Sequence, residues 1–334
     1  MFLKNSIRRF LFANMSQNMI DYFYKLYYKI KYPQEMEAKC SYGEKNPEIV
    51  FYVIRPRVDG TEGLMSLFMN VIRNLLYADR KGYVCVVDFK NYHTQYDDNI
   101  NGETNSWNFY FTQPSKYTLE EVYLSKNVIL SGLEIQWYRP TLLEKGDKVE
   151  SLKELHDFIF TKLYFRDKVL DAVKSEEEKL HMDYSTTVGV YLRGTDYIDL
   201  KPSGHPVQPT VEQAMLVIDE YTRKYNVDSI FLVTEDVRIY NAVKNKYGEV
   251  CKTVSNDSFI QHYSGKNFLS HDKSVNELDE SPYFRGLNYL VKLIILSKCE
   301  YFVGGDTMGS RAACIFSGDN YKELYMFNLG LYGK

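Results

Sequence analysis

Hydrophobic and polar positions along this chain follow two rhythms, and their order predicts the elements. Short apolar runs rich in β-branched residues mark buried parallel strands. They fall at residues 49–54 (IVFYVI), 84–89 (VCVVDF), 127–130, 187–192, 229–234, 250–254, 301–304 and 323–327. Between them lie stretches with a helical period. The clearest sets Leu64, Leu67, Phe68, Val71, Ile72, Leu75 and Leu76 on one face. Others cover residues 210–225, 236–247, 284–299 and 309–316, with one long helical stretch over roughly 151–180. Strand, glycine-bearing loop (RPRVDGTEG, with Gly60 and Gly63), helix and strand make a βαβ unit, and a second βα alternation begins at Thr187. The pattern predicts an α/β protein of two Rossmann-like halves facing each other across a cleft. The expected boundaries are an arm over 1–33, a first domain over 34–182 and a second over 183–334.

Composition changes this picture only at the edges. The 334 residues are 45% hydrophobic and 25% charged, enough for two domains. A net charge of -3 argues against nucleic acid as a partner. The charge is uneven: residues 1–32 carry six basic side chains against one acid, mixed with Phe, Leu, Ile and Tyr at roughly helical spacing. Such an arm suits an anionic membrane surface, or packs on its own protein. Cys40, Cys85, Cys251, Cys299 and Cys314 are scattered, with no zinc-type spacing, so buried thiols in a reducing compartment and no metal are expected. No apolar run approaches a membrane span and no secretory signal is visible, which places the chain in the cytoplasm or on the inner face of the membrane. Thirty tyrosines reflect either a codon bias or aromatic platforms for sugar rings.

Candidate chemistry sits where strands end. TVGVYLRGTD stops a buried strand at Arg193, Gly194, Thr195 and Asp196. In open α/β sheets ligands bind just past such ends, and a guanidinium fork suits a diphosphate. A plain Arg–Asp ion pair is the other reading. TED at Thr234–Asp236 offers a carboxylate to a nucleoside, or caps a helix. GGDTMGSR at Gly304–Arg311 offers hydroxyls and an arginine at a helix N-terminus, either a phosphate cradle or a cap. Neither a Walker A loop nor GxGxxG is present.

The order and spacing of these motifs are specific. VGVYLRGTD followed by His205-Pro206, then FLVTED, then FVGGDTMGSR, resembles the α1,6-fucosyltransferase and protein O-fucosyltransferase superfamily. The N-terminal VVDF and the aromatic segment around Trp107 are similar too. The resemblance implies a GT-B-like fold, GDP-fucose as donor substrate, no cofactor or required metal, and inversion at the anomeric carbon. The acceptor expected is a glycan or lipid-linked glycan of the cell surface. It implies that Arg193 holds the β-phosphate and that Asp236 meets the nucleoside. Thr307, Ser310 and Arg311 would bind phosphate, and Gly60 and Gly63 would admit the donor. Tyr191, Gly194 and His205 would line the donor site, with Trp107 on the acceptor side. Asp199 would be the base, with Asp196 orienting the arginine loop. Tyr191 stands where the family has His, Gly194 where it has a second Arg, and Lys201 where the α1,6-enzymes have Glu. Another nucleotide-sugar donor, or a binding module without turnover, is the alternative.

Overall fold

The computed structural model describes residues 17–57, 60–132, 149–255, 257–272 and 281–333. The chain forms two compact units, one of residues 1–59, 70–88 and 115–140, the other of 60–69, 89–114 and 141–334.

The first unit opens with helix α1 (Gln17–Lys31). Its sheet comprises β1 (Ala38–Cys40), β2 (Lys45–Ile54), β3 (Val84–Val87) and β4 (Ser125–Leu130), in the order β1-β4-β2-β3. β2 runs parallel to β3 and β4, and β1 closes the edge antiparallel. β1 escapes sequence reading because three residues with an exposed Lys39 carry no apolar run. Helix α2 (Leu64–Lys81) joins β2 to β3 and buries the predicted stripe from Leu64 to Leu75. Phe51, Val53, Val86, Val122, Val128 and Leu130 form the core beside this sheet, Val122 coming from the single turn α3 (Leu119–Val122).

The second unit holds a wholly parallel sheet of β5 (Thr187–Tyr191), β6 (Ser229–Val233), β7 (Cys251–Lys252), β8 (Tyr301–Gly305) and β9 (Glu323–Phe327), in the order β7-β6-β5-β8-β9. Its helices are α4 (Val149–Lys162), α5 (Asp167–Leu180), α6 (Val211–Tyr225), α7 (Val237–Tyr247), α8 (Pro282–Lys298) and α9 (Met308–Ser317). The expected helix over 151–180 is two helices. At the break, Phe165 bridges Phe111 and the Thr112 amide bonds the Tyr164 carbonyl, so pairing to another segment takes the backbone groups a continuous helix would use. β7 is shorter than its apolar run because only Cys251 and Lys252 find partners on β6.

Candidate active site

The second sheet is wound outward from β5. The chain passes from β5 to β6 and β7 on one side, then crosses to β8 and β9 on the other. In open α/β sheets, ligands bind where that order reverses. Tyr191, which ends β5, is in register with Val233 of β6 and Gly304 of β8. The three nominated segments therefore emerge side by side.

Arg193 is their centre. Its Nη2 donates to Asp196 Oδ1 at 3.0 Å, and its Nε lies 3.5 Å from Glu235 Oε1. That Nε–H is buried and off-line, without a hydrogen-bond partner. Burial disfavours the charged guanidinium, but Glu235 and Asp196 more than offset this and hold its pKa above the ordinary arginine value. Asp196 Oδ2 also accepts from the Leu269 amide, at 3.1 Å. The strand-end ion pair is thus formed. Glu235 is the residue that sequence reasoning passed over. It lies inside the TED motif, yet nothing there says which of two adjacent acids turns toward β5.

Thr195 pays out the backbone between them in an unusual conformation, φ +42° and ψ -117°. A β-branched residue at positive φ costs about 1–3 kcal/mol and persists only where its surroundings enforce it. Here the Thr195 amide donates to Asp236 Oδ2 at 3.0 Å. Its hydroxyl and the Gly194 amide both donate to Glu235 Oε1 at 2.9 Å. A π-helical turn follows over Asp196–Leu200. A Cβ on Gly194 would stand 2.3 Å from Asp236 Oδ2, so no side chain fits at 194 while Asp236 holds its place.

Asp236 is not free for a nucleoside. It is buried, its Oδ1 caps α7 through the Arg238 amide at 2.8 Å, and its Oδ2 meets Arg238 Nη2 at 2.6 Å. Burial pushes its carboxyl up, but hydrogen bonds from Arg238 and from the Thr195 amide outweigh that and hold it below the usual range. The cap reading describes it. Asp199 is likewise no simple solvated acid: Arg238 grips both its oxygens, at 3.1 and 2.8 Å. Its side chain is still 31% exposed, against 5% for Asp196 and 19% for Glu235.

At the end of β8, Thr307 caps α9 by accepting from the Ser310 amide. Ser310 is fully buried and spends its hydroxyl on the Gly305 carbonyl, and Arg311 forks onto Asp306 at 2.7 and 2.9 Å. These three side chains build the turn. What α9 can offer an anion is its first amides, Met308 and Gly309, which have no intrahelical acceptor. The Tyr191 hydroxyl is buried against that of Tyr289 at 2.9 Å, beneath Gly309. His205 packs on Tyr197 and Phe268, with its Nδ1 buried and without a hydrogen-bond partner.

Gly60 and Gly63 belong to this same unit. Gly60 has φ +62° and lies against His93, so it needs to be glycine, whereas Gly63 has open space around it. Val58 and Asp59 of that loop lie outside the described residues. Trp107 corrects an expectation. It is buried, stacks on Phe111 at 4.5 Å and donates its Nε1–H to the Thr112 carbonyl, so it works in packing and presents no face to an acceptor. The loop after β7 is a further addition. The Ile260 amide bonds the Glu235 carbonyl and Leu269 bonds Asp196, which sets residues 257–272 against the cluster. Their polar sequence carries no signal of this placement.

Neither a protein-family model nor a curated protein matches the chain. Solved structures do. It is similar to NodZ α1,6-fucosyltransferase soaked with GDP-fucose, at TM-score 0.50 and 16% identity over 86% of this chain and 97% of that one. It is also similar to NodZ from Bradyrhizobium (0.43, 15%, 79% and 92%) and to POFUT1 in complex with GDP (0.37, 14%, 85% and 75%). At this identity the first likeness defines the fold: an α/β architecture with parallel-stranded sheets, shared with a fucosyltransferase.

Proposed function

We propose that this chain is a glycosyltransferase that moves fucose, with inversion, from GDP-fucose to a hydroxyl of a glycan acceptor. The observation that carries the reading is Arg193: a half-buried guanidinium at the switch point of a parallel sheet, held by two carboxylates and followed by a strained backbone. Fold likeness to a fucosyltransferase and the order of the three motifs support it. Breaking a sugar–phosphate bond builds negative charge on the departing diphosphate. A cation already oriented there stabilises the transition state more than the ground state. Arg193 and the Met308 and Gly309 amides would receive that charge without reorganising. Asp199 is the most exposed of the four carboxylates here. With one lone pair of each oxygen taken by Arg238, the others can accept a proton from an acceptor hydroxyl.

The reading extends to location. Helix α1 exposes Tyr22, Phe23, Leu26 and Ile30 on one face and ends in Lys29 and Lys31, the arrangement of a helix lying in a membrane interface. No helix among the described residues is long and apolar enough to cross a membrane. An enzyme held on the cytoplasmic leaflet would meet lipid-linked acceptors. Truncating residues 1–32 should release the protein from anionic vesicles, and unchanged binding removes this part of the reading.

The test of the whole is turnover. Purified protein should release GDP from GDP-fucose and be stabilised against heat by GDP. Stabilisation by UDP and not GDP would transfer the scaffold to another donor. Tight GDP binding with no transfer to any acceptor would make it a binding module.

A further inference from the structure

The arginines around the carboxyl end of β5 are not equivalent. Arg193 faces Asp196 and Glu235, Arg238 faces Asp199 and Asp236, and Arg311 faces Asp306. Together they bring more negative than positive charge to a place meant to hold a diphosphate. Arg285, in the first turn of α8, is different. Among the described residues it pairs with no carboxylate. Its one side-chain hydrogen bond among the described residues runs from Nη2 to the Gln95 carbonyl, at 2.7 Å. Its Nε–H is buried without a partner, as is that of Arg193. A guanidinium is a permanent charge, and a half-buried one without a counterion among the described residues is poised to take an anion.

Its position fits. Arg285 lies one helical turn before Tyr289, so both share a face of α8. The Tyr289 hydroxyl meets that of Tyr191, two residues before Arg193, and both hydroxyls lie under Gly309 in the first turn of α9. The Arg285 guanidinium stands 5.7 Å from the centre of the Tyr96 ring. Tyr96 feels the positive fields of both Arg285 and Arg193, although burial dominates and pushes its phenol up. The glycine loop converges on the same spot. The Tyr96 hydroxyl accepts from the Leu64 amide, and Gln95 Nε2 donates to the carbonyls of Thr61 and Glu62.

We propose that Arg285 is a second phosphate-binding cation, which closes with Arg193 and the Gly60–Gly63 loop on the diphosphate of the donor. The proposal rests on the nucleotide-sugar reading for the identity of the ligand, but not for its chemistry. A pyrophosphate group is the shared element of every such donor. Arg285 thus adds, from a helix, positive charge that the β5 loop cannot carry, because Gly194 has no room for a side chain.

The test is calorimetric titration of the full chain with inorganic pyrophosphate, GDP and guanosine. The variants are Arg285→Gln, whose amide can still donate to the Gln95 carbonyl, and Arg285→Lys, which keeps the charge. Arg285→Gln should weaken pyrophosphate and GDP about tenfold or more and leave guanosine unchanged, with Arg285→Lys recovering part of the loss. Pyrophosphate binding within twofold of wild type in Arg285→Gln overturns the proposal. So does an equal loss for guanosine, which would mark a structural role. Pyrophosphate binding that depends on Arg285 in a protein that ignores GDP would sustain this assignment and sink the donor reading. Wild type that binds none of the three would end both.

Discussion

Each sheet places an arginine at the end of a central parallel strand, and the two arginines do different work. Arg55 follows β2 directly. Its Nε donates to the Ser131 carbonyl at 2.7 Å and its Nη2 to the Met36 carbonyl at 2.9 Å, while its amide donates to the Ser131 hydroxyl oxygen at 3.0 Å. These three contacts are to neutral groups beside the ends of β4 and β1, so through them Arg55 staples strands. Arg193 follows β5 by two residues. Its partners are carboxylates, one of its N–H groups has none, and the backbone after it is strained. The same residue type at the same topological place is structural where backbone carbonyls surround it. Under the proposed function it is chemical where counter-charges hold it and its hydrogen-bonding capacity is incomplete.

The sharpest way to break this contrast is to remove each arginine in turn. Arg193→Ala should weaken GDP about 100-fold or more, since charged hydrogen bonds are worth roughly 1.5–3 kcal/mol each. Arg55→Ala should lower stability in urea by about 1–3 kcal/mol and leave the GDP dissociation constant of the folded protein within about twofold. Equal losses of GDP affinity in the two variants would erase the distinction.

The strained loop gives a second test. Gly194→Ala forces a methyl against the anchored Asp236 side chain and should cost about 1–3 kcal/mol in urea unfolding. A neutral result would mean that the Asp236 brace yields.

Acid titration probes the same brace. The Asp236 pKa is depressed in the folded protein, so its stabilisation is fully present above the unfolded value of about 3.9 and is lost as pH falls through the folded value. Asp236→Ala should cost about 0.5–2 kcal/mol at neutral pH as a lost cap, and the gap to wild type should shrink below about pH 4. A gap that stays constant down to about pH 2 would show that the charge contributes nothing.

The smallest effect belongs to Gly63→Ala. With negative φ and open space, it should change stability by no more than about 0.5 kcal/mol. A larger loss of GDP affinity than of stability there would instead show the loop closing on the ligand.

The strands and helices that matter were legible because burial writes itself into the sequence as a period. Apolar runs give parallel strands, and the Leu64–Leu75 stripe gives a helix. Arg193, Gly194 and Asp196 were legible as a strand end too, since polar residues directly after a buried apolar run mark where the strand stops. Asp236 and Trp107 show where this stops. A carboxylate beside a helix start caps the helix or meets a ligand according to what lies within 3 Å of it, and a tryptophan in a polar segment is a platform or a core residue according to what stacks on it.

By itself the sequence determined the α/β class, most strands and helices in their order, and the three strand ends that carry polar groups, because local periodicity and chain order need no partner to be read. Tertiary structure decided the rest: that Glu235 and not Asp236 meets Arg193, that Thr195 is held at positive φ, and that Arg285, about ninety residues beyond Arg193, has no carboxylate partner among the described residues. Those outcomes depend on which groups the fold brings within hydrogen-bond reach, and electrostatic energies at that range follow distance in space, not distance along the chain.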